Sequence, residues 1–310
     1  MRGLALYMGR RLAASAVTLL GVSFIVVALV RLLPGDPARV IAGIQASQQE
    51  VDRIREQLGL DEPLWTQFAV FLGNLAQGDM GTSARTGAPV VSEIMARLPF
   101  TVELAVLGTA FGAVVGILVG VTAATRRGRW ADHLLSSLAV MGVSTPVYWL
   151  GLLLIIVFSV KLQWLPAAGA EELSSLILPT FTLGVFSVAL VSRMTRANML
   201  EILGQDYVRA AEAKGLGDRV VVYKHALRNA FIPVLTVIGL QFGNLLGGAV
   251  LTESVFGWPG IGRLLVDSIF SRDLPMVQGI VFTYAVMFIV VNIITDLLYT
   301  VVDPRVRLYG

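Results

Sequence analysis

The chain has 310 residues, of which 55% are hydrophobic and only 15% are charged, and its mean hydropathy is +0.75. Soluble domains carry about 25% charged residues, so this composition excludes an ordinary water-soluble fold. Cysteine is absent, which excludes a disulfide framework. The formal charge of +3 is small, and its placement along the chain is more informative than its size.

Long uncharged runs mark the candidate membrane spans. Six stretches lack Asp, Glu, Lys and Arg for about the 20 residues that a helix needs to cross a bilayer. They are uniformly apolar and about twice as long as a barrel strand, which favours helices. We predict an all-α polytopic membrane protein with six transmembrane helices, at Leu12–Val30, Leu104–Thr125, Leu134–Val160, Leu173–Ser192, Ala230–Thr252 and Leu274–Thr295.

The distribution of basic residues predicts the orientation. With the N-terminus inside, the inner segments hold 15 Lys and Arg residues and the longer outer segments hold 8. This excess predicts that both termini are cytoplasmic. The first apolar run has 19 residues and exceeds the 7–15 of a signal peptide, so we predict an uncleaved first span.

The largest polar segment, residues 34–99, follows span one. A capping box of Ser47 and Glu50 predicts one helix that ends before Gly59, and Pro63 predicts the start of a second. Val51, Ile54 and Leu58 fall on one face of the first helix, and apolar residues recur at helical spacing in the second, which predicts that both helices pack on each other and on the spans. We divide the chain into residues 1–33 (N-terminus and span one), 34–99 (an extracytoplasmic lobe) and 100–310 (a core with five spans and an inner loop at 193–229).

Two spans carry glycines at every fourth position, which places them on one helix face. Such faces predict close helix packing, and they also suit helices that slide during a conformational change. The pattern leaves both interpretations open. The two sets are Gly108, Gly112, Gly116 and Gly120 in span two, and Gly239, Gly243 and Gly247 in span five.

Searches for reactive chemistry give no enzyme motif. The sequence has no Gly-Lys pair and therefore no phosphate-binding loop, and it has no H-E-x-x-H or G-x-S-x-G pattern. His133 and His225 are too few and too far apart in sequence to propose a metal site. We predict no catalytic residue, metal or cofactor on this chain. Energy for any transport must come from a gradient or from another subunit.

The segment YVRAAEAKGLG, Tyr207–Gly217, is unusually polar for its surroundings. Asp206 is a possible N-cap and Gly215 a C-terminal stop, which predicts a short helix. On it, Ala211 and Gly215 share a face small enough to enter a cleft on another protein. A topogenic helix that lies on the membrane surface explains the pattern equally well.

At these residues the chain resembles the permease subunits of bacterial ABC importers, in the dipeptide/oligopeptide/nickel class. That family has a Glu-Ala-Ala motif and a downstream glycine on a coupling helix that docks on the ATPase. Here the glutamate is replaced by Arg209. Further resemblance lies in LLPGDP (Leu32–Pro37), LGLDEPL (Leu58–Leu64), GDMGTS (Gly78–Ser83), LPFTVEL (Leu98–Leu104), HALRNAFIP (His225–Pro233) and VFGWPGIG (Val255–Gly262).

The resemblance implies a type I importer-like permease in the bacterial inner membrane. Its partners would be a second homologous permease, two cytoplasmic ATPases that bind ATP and Mg²⁺, and an extracytoplasmic binding protein, with no nucleic acid. The implied ATPase-docking residues are Arg209, Ala210, Ala211, Lys214, Gly215 and Leu216. Candidates to line the translocation path are Gln241, Asn244, Ser144 and Tyr148.

The predicted function is import of di- or oligopeptides driven by the partner ATPases. Import of nickel chelates or of glutathione-like peptides is the alternative within the class. The outer segments and spans contain no histidine, which argues against imidazole ligation of bare nickel along the path. Two alternatives from other classes are a stand-alone gradient-driven transporter and a membrane scaffold without transport.

Overall fold

The structure is a computed structural model that describes residues 2–32, 37–43, 45–57 and 59–302, and its regular secondary structure there is helical. Twelve α-helices lie in these ranges, and the only strand-like pairing there is a single bridge between Thr82 and Pro89. The helices are α1 (Arg2–Leu32), α2 (Pro37–Ala42), α3 (Gln48–Gln57), α4 (Leu64–Ala76), α5 (Val90–Thr125), α6 (Trp130–Ser144), α7 (Val147–Leu154), α8 (Ile177–Leu203), α9 (Asp206–Ala213), α10 (Leu227–Val255), α11 (Ile261–Phe270) and α12 (Leu274–Val302).

Among the described residues, five helices are long and apolar enough to cross a membrane, and the third predicted span corresponds to a bent pair that passes this test only when its two halves are counted together. The pair is α6 with α7, which continues as a π-helix to Lys161. The helix axis bends by 103° between the two halves. Pro146 lies at the break and interrupts the helix, because proline has no N–H to donate to the helical ladder. Just before it, both the N–H and the hydroxyl of Thr145 donate to the carbonyl of Met141.

The chain forms two compact units. The first comprises Met1–Thr101 and Pro259–Val290, and the second comprises Val102–Trp258 and Val291–Gly310. The first unit therefore contains the described part of the 34–99 lobe together with α11 and most of α12.

The lobe helices begin and end close to the predicted positions. The hydroxyl of Ser47 accepts a hydrogen bond from the N–H of Glu50 at the start of α3. After α3, Gly59 has φ +59°, and the N–H of Leu60 reaches back to the carbonyl of Arg55, as in a Schellman motif. Pro63 lies at the N-cap of α4, one residue before the helix. Leu58, predicted on the apolar face of α3, lies outside the described residues.

An aromatic cluster packs α4 on α1. The ring of Phe24 stacks on Trp65 with centroids 5.3 Å apart and meets Phe68 edge to face at 5.6 Å. Such pairs contribute about 0.5–1.5 kcal/mol beyond their buried area. The predicted apolar stripe of α4 thus packs on the first span.

A buried aspartate connects the loop before α5 to the start of α12. The carboxylate of Asp273, only 3% exposed, accepts hydrogen bonds from the Ser83 hydroxyl and from the N–H groups of Ala84 and Met276. Asp273 precedes α12, so the same carboxylate caps that helix.

In the second unit, the glycine repeat of α5 lies against α8. The facing residues are also four apart, so two regular rows meet along the two helices. The pairs are Gly108 with Leu183, Gly112 with Ser187, Gly116 with Val191 and Gly120 with Thr195. A Cβ atom on any of the last three glycines would clash with its partner. Close approach of the two backbones therefore requires these glycines.

The repeat of α10 lies in two different environments. Gly239 touches Thr295 of α12 so closely that a Cβ atom would clash, and Gly243 is buried. Gly247 is exposed, and no atom of the described chain lies within 4 Å of where its Cβ would be. The expectation that Gly247 packs on another helix is therefore wrong for contacts within this chain.

Candidate functional site

The candidate site is α9 with the residues that surround it. The helix begins at Asp206, and the preceding residue Gln205 is its N-cap, without a side-chain hydrogen bond. The predicted N-cap role of Asp206 is therefore wrong by one residue. Its carboxylate lies in the first turn instead, where negative charge interacts favourably with the helix dipole.

Gly215 terminates α9 by a Schellman motif. Its φ is +78°, a left-handed conformation that glycine adopts without strain. The N–H of Gly215 donates to the carbonyl of Glu212 at 2.9 Å, and that of Leu216 donates to the carbonyl of Ala211 at 3.4 Å. Among the described residues, no atom lies within 4 Å of the position that a Cβ on Gly215 would take. Within this chain, the glycine is required by backbone conformation and not by crowding.

One face of α9 packs on its own chain. Val208 is fully buried and Ala211 is 8% exposed, and both pack on Val221, with Ile202 and Leu203 of α8 beside them. Ala211 is therefore turned inward, and it does not share an outward face with Gly215 as the spacing suggested. Its small side chain lets α9 lie close to the π-helical turn Val220–Ala226.

The opposite face of α9 and the residues after it are exposed. This surface combines small, charged and apolar groups. Tyr207 and Leu216 are each 39% exposed, and the π-helical turn adds the half-exposed Tyr223. The exposed members of the predicted docking set are Arg209, Ala210, Lys214, Gly215 and Leu216.

A side-chain contact links α9 to the start of α10. The amide nitrogen of Asn229 donates to the hydroxyl of Tyr207 at 2.8 Å and to the carbonyl of His225 at 3.0 Å. No local sequence pattern pairs these residues, because they are 22 positions apart. A displacement of α9 would therefore act on α10 through this contact as well as through the connecting backbone.

A second cluster continues from this region into the spans. Ala226 and Ala230 are buried against Met199 of α8 and against Val121 and Ala124 at the end of α5. Close-packed protein interiors transmit strain between the groups in contact. The segment after α9 thus packs in one cluster with α5 and α8, and it continues directly into α10.

An ion pair that the sequence did not reveal fixes α6 to α8. Asp132 is 3% exposed, and Arg196 donates to its two carboxylate oxygens at 2.7 and 2.8 Å. The N–H of Gly128 and the hydroxyl of Ser136 also donate to this carboxylate, at 3.0 and 3.4 Å. Bidentate pairs of this kind have defined geometry as well as strength. Its partners are 64 residues apart, so no local pattern predicts it.

The candidate path residues lie on three helices of the second unit: Ser144 on α6, Tyr148 on α7, and Gln241 and Asn244 on α10. Gln241 is 4% exposed, and its side-chain oxygen accepts from Asn244 at 3.2 Å. Its side-chain nitrogen has no hydrogen-bond partner among the described residues. Asn244, Ser144 and Tyr148 are exposed. The hydrogen bond joins only Gln241 and Asn244, and a role in transport stays a prediction for all four.

The fold and α9 define a class of protein: multi-pass helical membrane subunits that present a short amphipathic helix between two spans. The family described as "Binding-protein-dependent transport system inner membrane component" matches residues 116–308, and its N-terminal counterpart matches residues 4–105. The chain therefore belongs to this family. It is a non-catalytic, multi-pass inner-membrane permease subunit of an ABC importer of the dipeptide/oligopeptide class.

Relatives along the full length support this assignment. The chain is 41% identical to the dipeptide transport system permease protein DppB of Alkalihalophilus pseudofirmus, over 97% of this chain and 99% of that one. It is 46% identical to the glutathione transport system permease protein GsiC of Escherichia coli K12, over 97% and 98%.

Solved structures support the fold. The MetNI methionine ABC transporter, in an inward-facing conformation, matches with a TM-score of 0.58 at 17% identity, over 69% of this chain and 97% of that one. An amino acid ABC transporter matches with a TM-score of 0.53 at 19% identity, over 67% and 94%. At these identities the likeness concerns the fold alone.

Proposed function

We propose that this chain imports di- or oligopeptides as one of two permeases and that α9 docks a cytoplasmic ATPase. The observation that carries the proposal is the two-sided construction of α9. Val208 and Ala211 hold one face on the chain, and the other face is presented outward. Tyr207 and Asn229 then connect the helix to α10.

The proposed complex contains a second homologous permease, two ATPases that bind ATP and Mg²⁺, and an extracytoplasmic binding protein. With both termini cytoplasmic, α9 lies on the ATPase side and the 34–99 lobe on the opposite side. ATP binding would draw the ATPases together, and α9 would pass the movement to the spans as a rigid-body change.

A pair of tryptophan variants tests the docking face. Ala210→Trp adds bulk to the exposed face and leaves Gly215 intact, and we expect it to reduce ATPase recovery in a pull-down about thirtyfold, the equivalent of about 2 kcal/mol at an interface centre. Ala197→Trp, at an exposed alanine of α8, is the matched control. Recovery of the second permease should not change. Equal ATPase recovery with both variants would contradict docking through this face.

Variants at Gly215 separate the helix end from the interface. Asn tolerates the left-handed conformation and Val does not. If Gly215 acts only through the Schellman motif, Gly215→Asn should retain ATPase binding and Gly215→Val should lose it. Because we propose a contact at this position, we expect both variants to reduce binding. Normal binding and transport with a still larger residue, Gly215→Trp, would refute that contact.

Glutathione import is a second candidate, and it is favoured by the 46% identity to a permease named for glutathione transport. ATP-dependent uptake by the reconstituted complex distinguishes the two. Inhibition of labelled dipeptide uptake by unlabelled dipeptides, and not by glutathione, is the expected result. Inhibition of the same uptake by glutathione, and not by unlabelled dipeptides, would assign glutathione as the substrate.

A further inference from the structure

The turn between α5 and α6 carries three arginines next to a tryptophan. It consists of Arg126, Arg127, Gly128 and Arg129, and Trp130 begins α6. All five residues are exposed, and Trp130 is 75% exposed. This segment, the arginine turn (residues 126–130), contains no residue of α9 or of the candidate path. The proposed docking of an ATPase through α9 therefore does not account for it.

The positive charge of the arginine turn is not neutralised by the described part of the chain. The guanidinium groups of Arg126, Arg127 and Arg129 have no ion-pair or hydrogen-bond partner among the described residues. The nearest acid in the sequence is Asp132, which is only 3% exposed and has both carboxylate oxygens bound by Arg196. The turn therefore presents three positive charges to its surroundings.

Hydrogen bonds hold the backbone of the arginine turn. The N–H of Arg129 donates to the carbonyl of Arg126 at 3.0 Å. The N–H of Gly128 donates to the carboxylate of Asp132 at 3.0 Å, and this carboxylate is in turn bound by Arg196 of α8. The arginines are thus carried by a turn that is fixed to α6 and, through the ion pair, to α8.

Hydropathy places the arginine turn at a membrane boundary. The uncharged run Leu104–Thr125 ends directly before it. As a helix this run extends about 33 Å, which matches the hydrocarbon core of about 30 Å. The next uncharged run begins at Leu134, a few residues after the turn. The turn therefore lies where two apolar segments leave the hydrocarbon, at the depth of the lipid headgroups.

The residue types in the turn suit an anionic lipid. Guanidinium groups bind phosphate oxygens through two parallel hydrogen bonds. Tryptophan is enriched at membrane interfaces, where its ring meets acyl chains and its N–H meets water or headgroups. An acidic protein surface would also attract the arginines, but a largely exposed Trp130 at headgroup depth favours lipid.

We propose that the arginine turn binds the phosphate headgroup of an anionic phospholipid, with the ring of Trp130 in the adjoining interface. The inference does not rest on the transported substrate or on docking through α9. A lipid bound here would be connected, through Asp132 and Arg196, to the contact between α6 and α8.

The test measures lipid affinity by native mass spectrometry of the full chain. The probes are phosphatidylglycerol and phosphatidylcholine with the same acyl chains, which share a phosphate and differ in net charge. We expect Arg126→Gln, Arg127→Gln and Arg129→Gln each to weaken phosphatidylglycerol binding about fivefold, and the triple variant by at least about twentyfold. Affinity for phosphatidylcholine should not change.

The matched control is Arg219→Gln, which removes the same charge from an exposed arginine before the π-helical turn Val220–Ala226. It should leave phosphatidylglycerol affinity unchanged. Bromine on the acyl chains quenches nearby indoles, so brominated phosphatidylglycerol in nanodiscs should quench the fluorescence that Trp130→Phe removes. Thermal unfolding verifies that each variant folds, and the single variants carry the test if the triple variant does not.

Three results would overturn the inference. The first is equal phosphatidylglycerol affinity of the unsubstituted chain and the glutamine variants of the turn, and the second is an equal loss with Arg219→Gln. The third concerns the other class of partner, an acidic protein surface. Reduced ATPase recovery in a pull-down with the glutamine variants, at unchanged lipid affinity, would assign the arginine turn to the ATPase and refute the lipid site.

Discussion

The two glycine repeats look alike in sequence and differ in the structure. In α5 the row from Gly108 to Gly120 is closed along its length by α8. In α10 the row starts in a close contact at Gly239 and ends in the open at Gly247. A spacing of four places glycines on one face of a helix, but it does not determine what covers that face.

The α5 repeat makes contacts that hold this chain together. The end of the α10 repeat is a surface left available to other molecules. At α5 the absence of a side chain brings two backbones together and is needed for packing within the chain. At Gly247 and Gly248 no atom of the described chain occupies the space that a side chain would take. The exposed stripe of α10 also includes Leu240, Asn244 and Leu251.

The largest expected effect on stability comes from adding a side chain to the α5 glycine row that packs on α8. Gly112→Leu forces a side chain into Ser187 and the backbone of α8, so we expect a loss of about 3 kcal/mol or more, as in overpacked cores. Thermal unfolding of the purified chain in detergent measures it. Gly247→Leu is the matched control, with an expected change within about 0.5 kcal/mol. Equal destabilisation by the two variants would remove the distinction between the rows.

The ion pair of Asp132 and Arg196 lies next to the contact between α5 and α8 and joins α6 to the same helix. Thr195 faces Gly120, and the next residue of α8 holds the carboxylate of α6. Arg196→Met leaves a buried carboxylate with only the Gly128 and Ser136 donors, and we expect a loss of about 2 kcal/mol. The guanidinium is 32% exposed, which keeps the expected loss below that of a fully buried pair.

A double-mutant cycle isolates this pair. Asp132→Asn in the Arg196→Met background removes the unpaired charge and should recover part of the lost stability, measured by thermal unfolding. Strictly additive effects of the two substitutions would show that the pair does not couple α6 to α8.

Features set by nearby residues could be predicted from the sequence, and features set by distant partners could not. The spans, the Ser47 cap and the glycine stop after α9 depend on residues within a few positions. The inward turn of Ala211 depends on Val221, and the contact between Tyr207 and Asn229 joins residues 22 apart. For the same reason the spacing of Ala211 and Gly215 suggested a shared outward face that the structure lacks.

A substitution at Gly247, at the exposed end of the α10 repeat, has the smallest expected effect on the stability of the chain itself. It tests the assembly of the complex instead. Small residues on an exposed helix face let a second helix approach closely. We therefore expect Gly247→Leu to reduce recovery of the second permease in a pull-down from native membranes, although the isolated chain keeps its stability. Thr125→Leu, at an exposed position at the end of α5, controls for added bulk. Unchanged recovery of the second permease would instead assign lipid to this face, because lipid adapts to an added side chain and a packed helix does not.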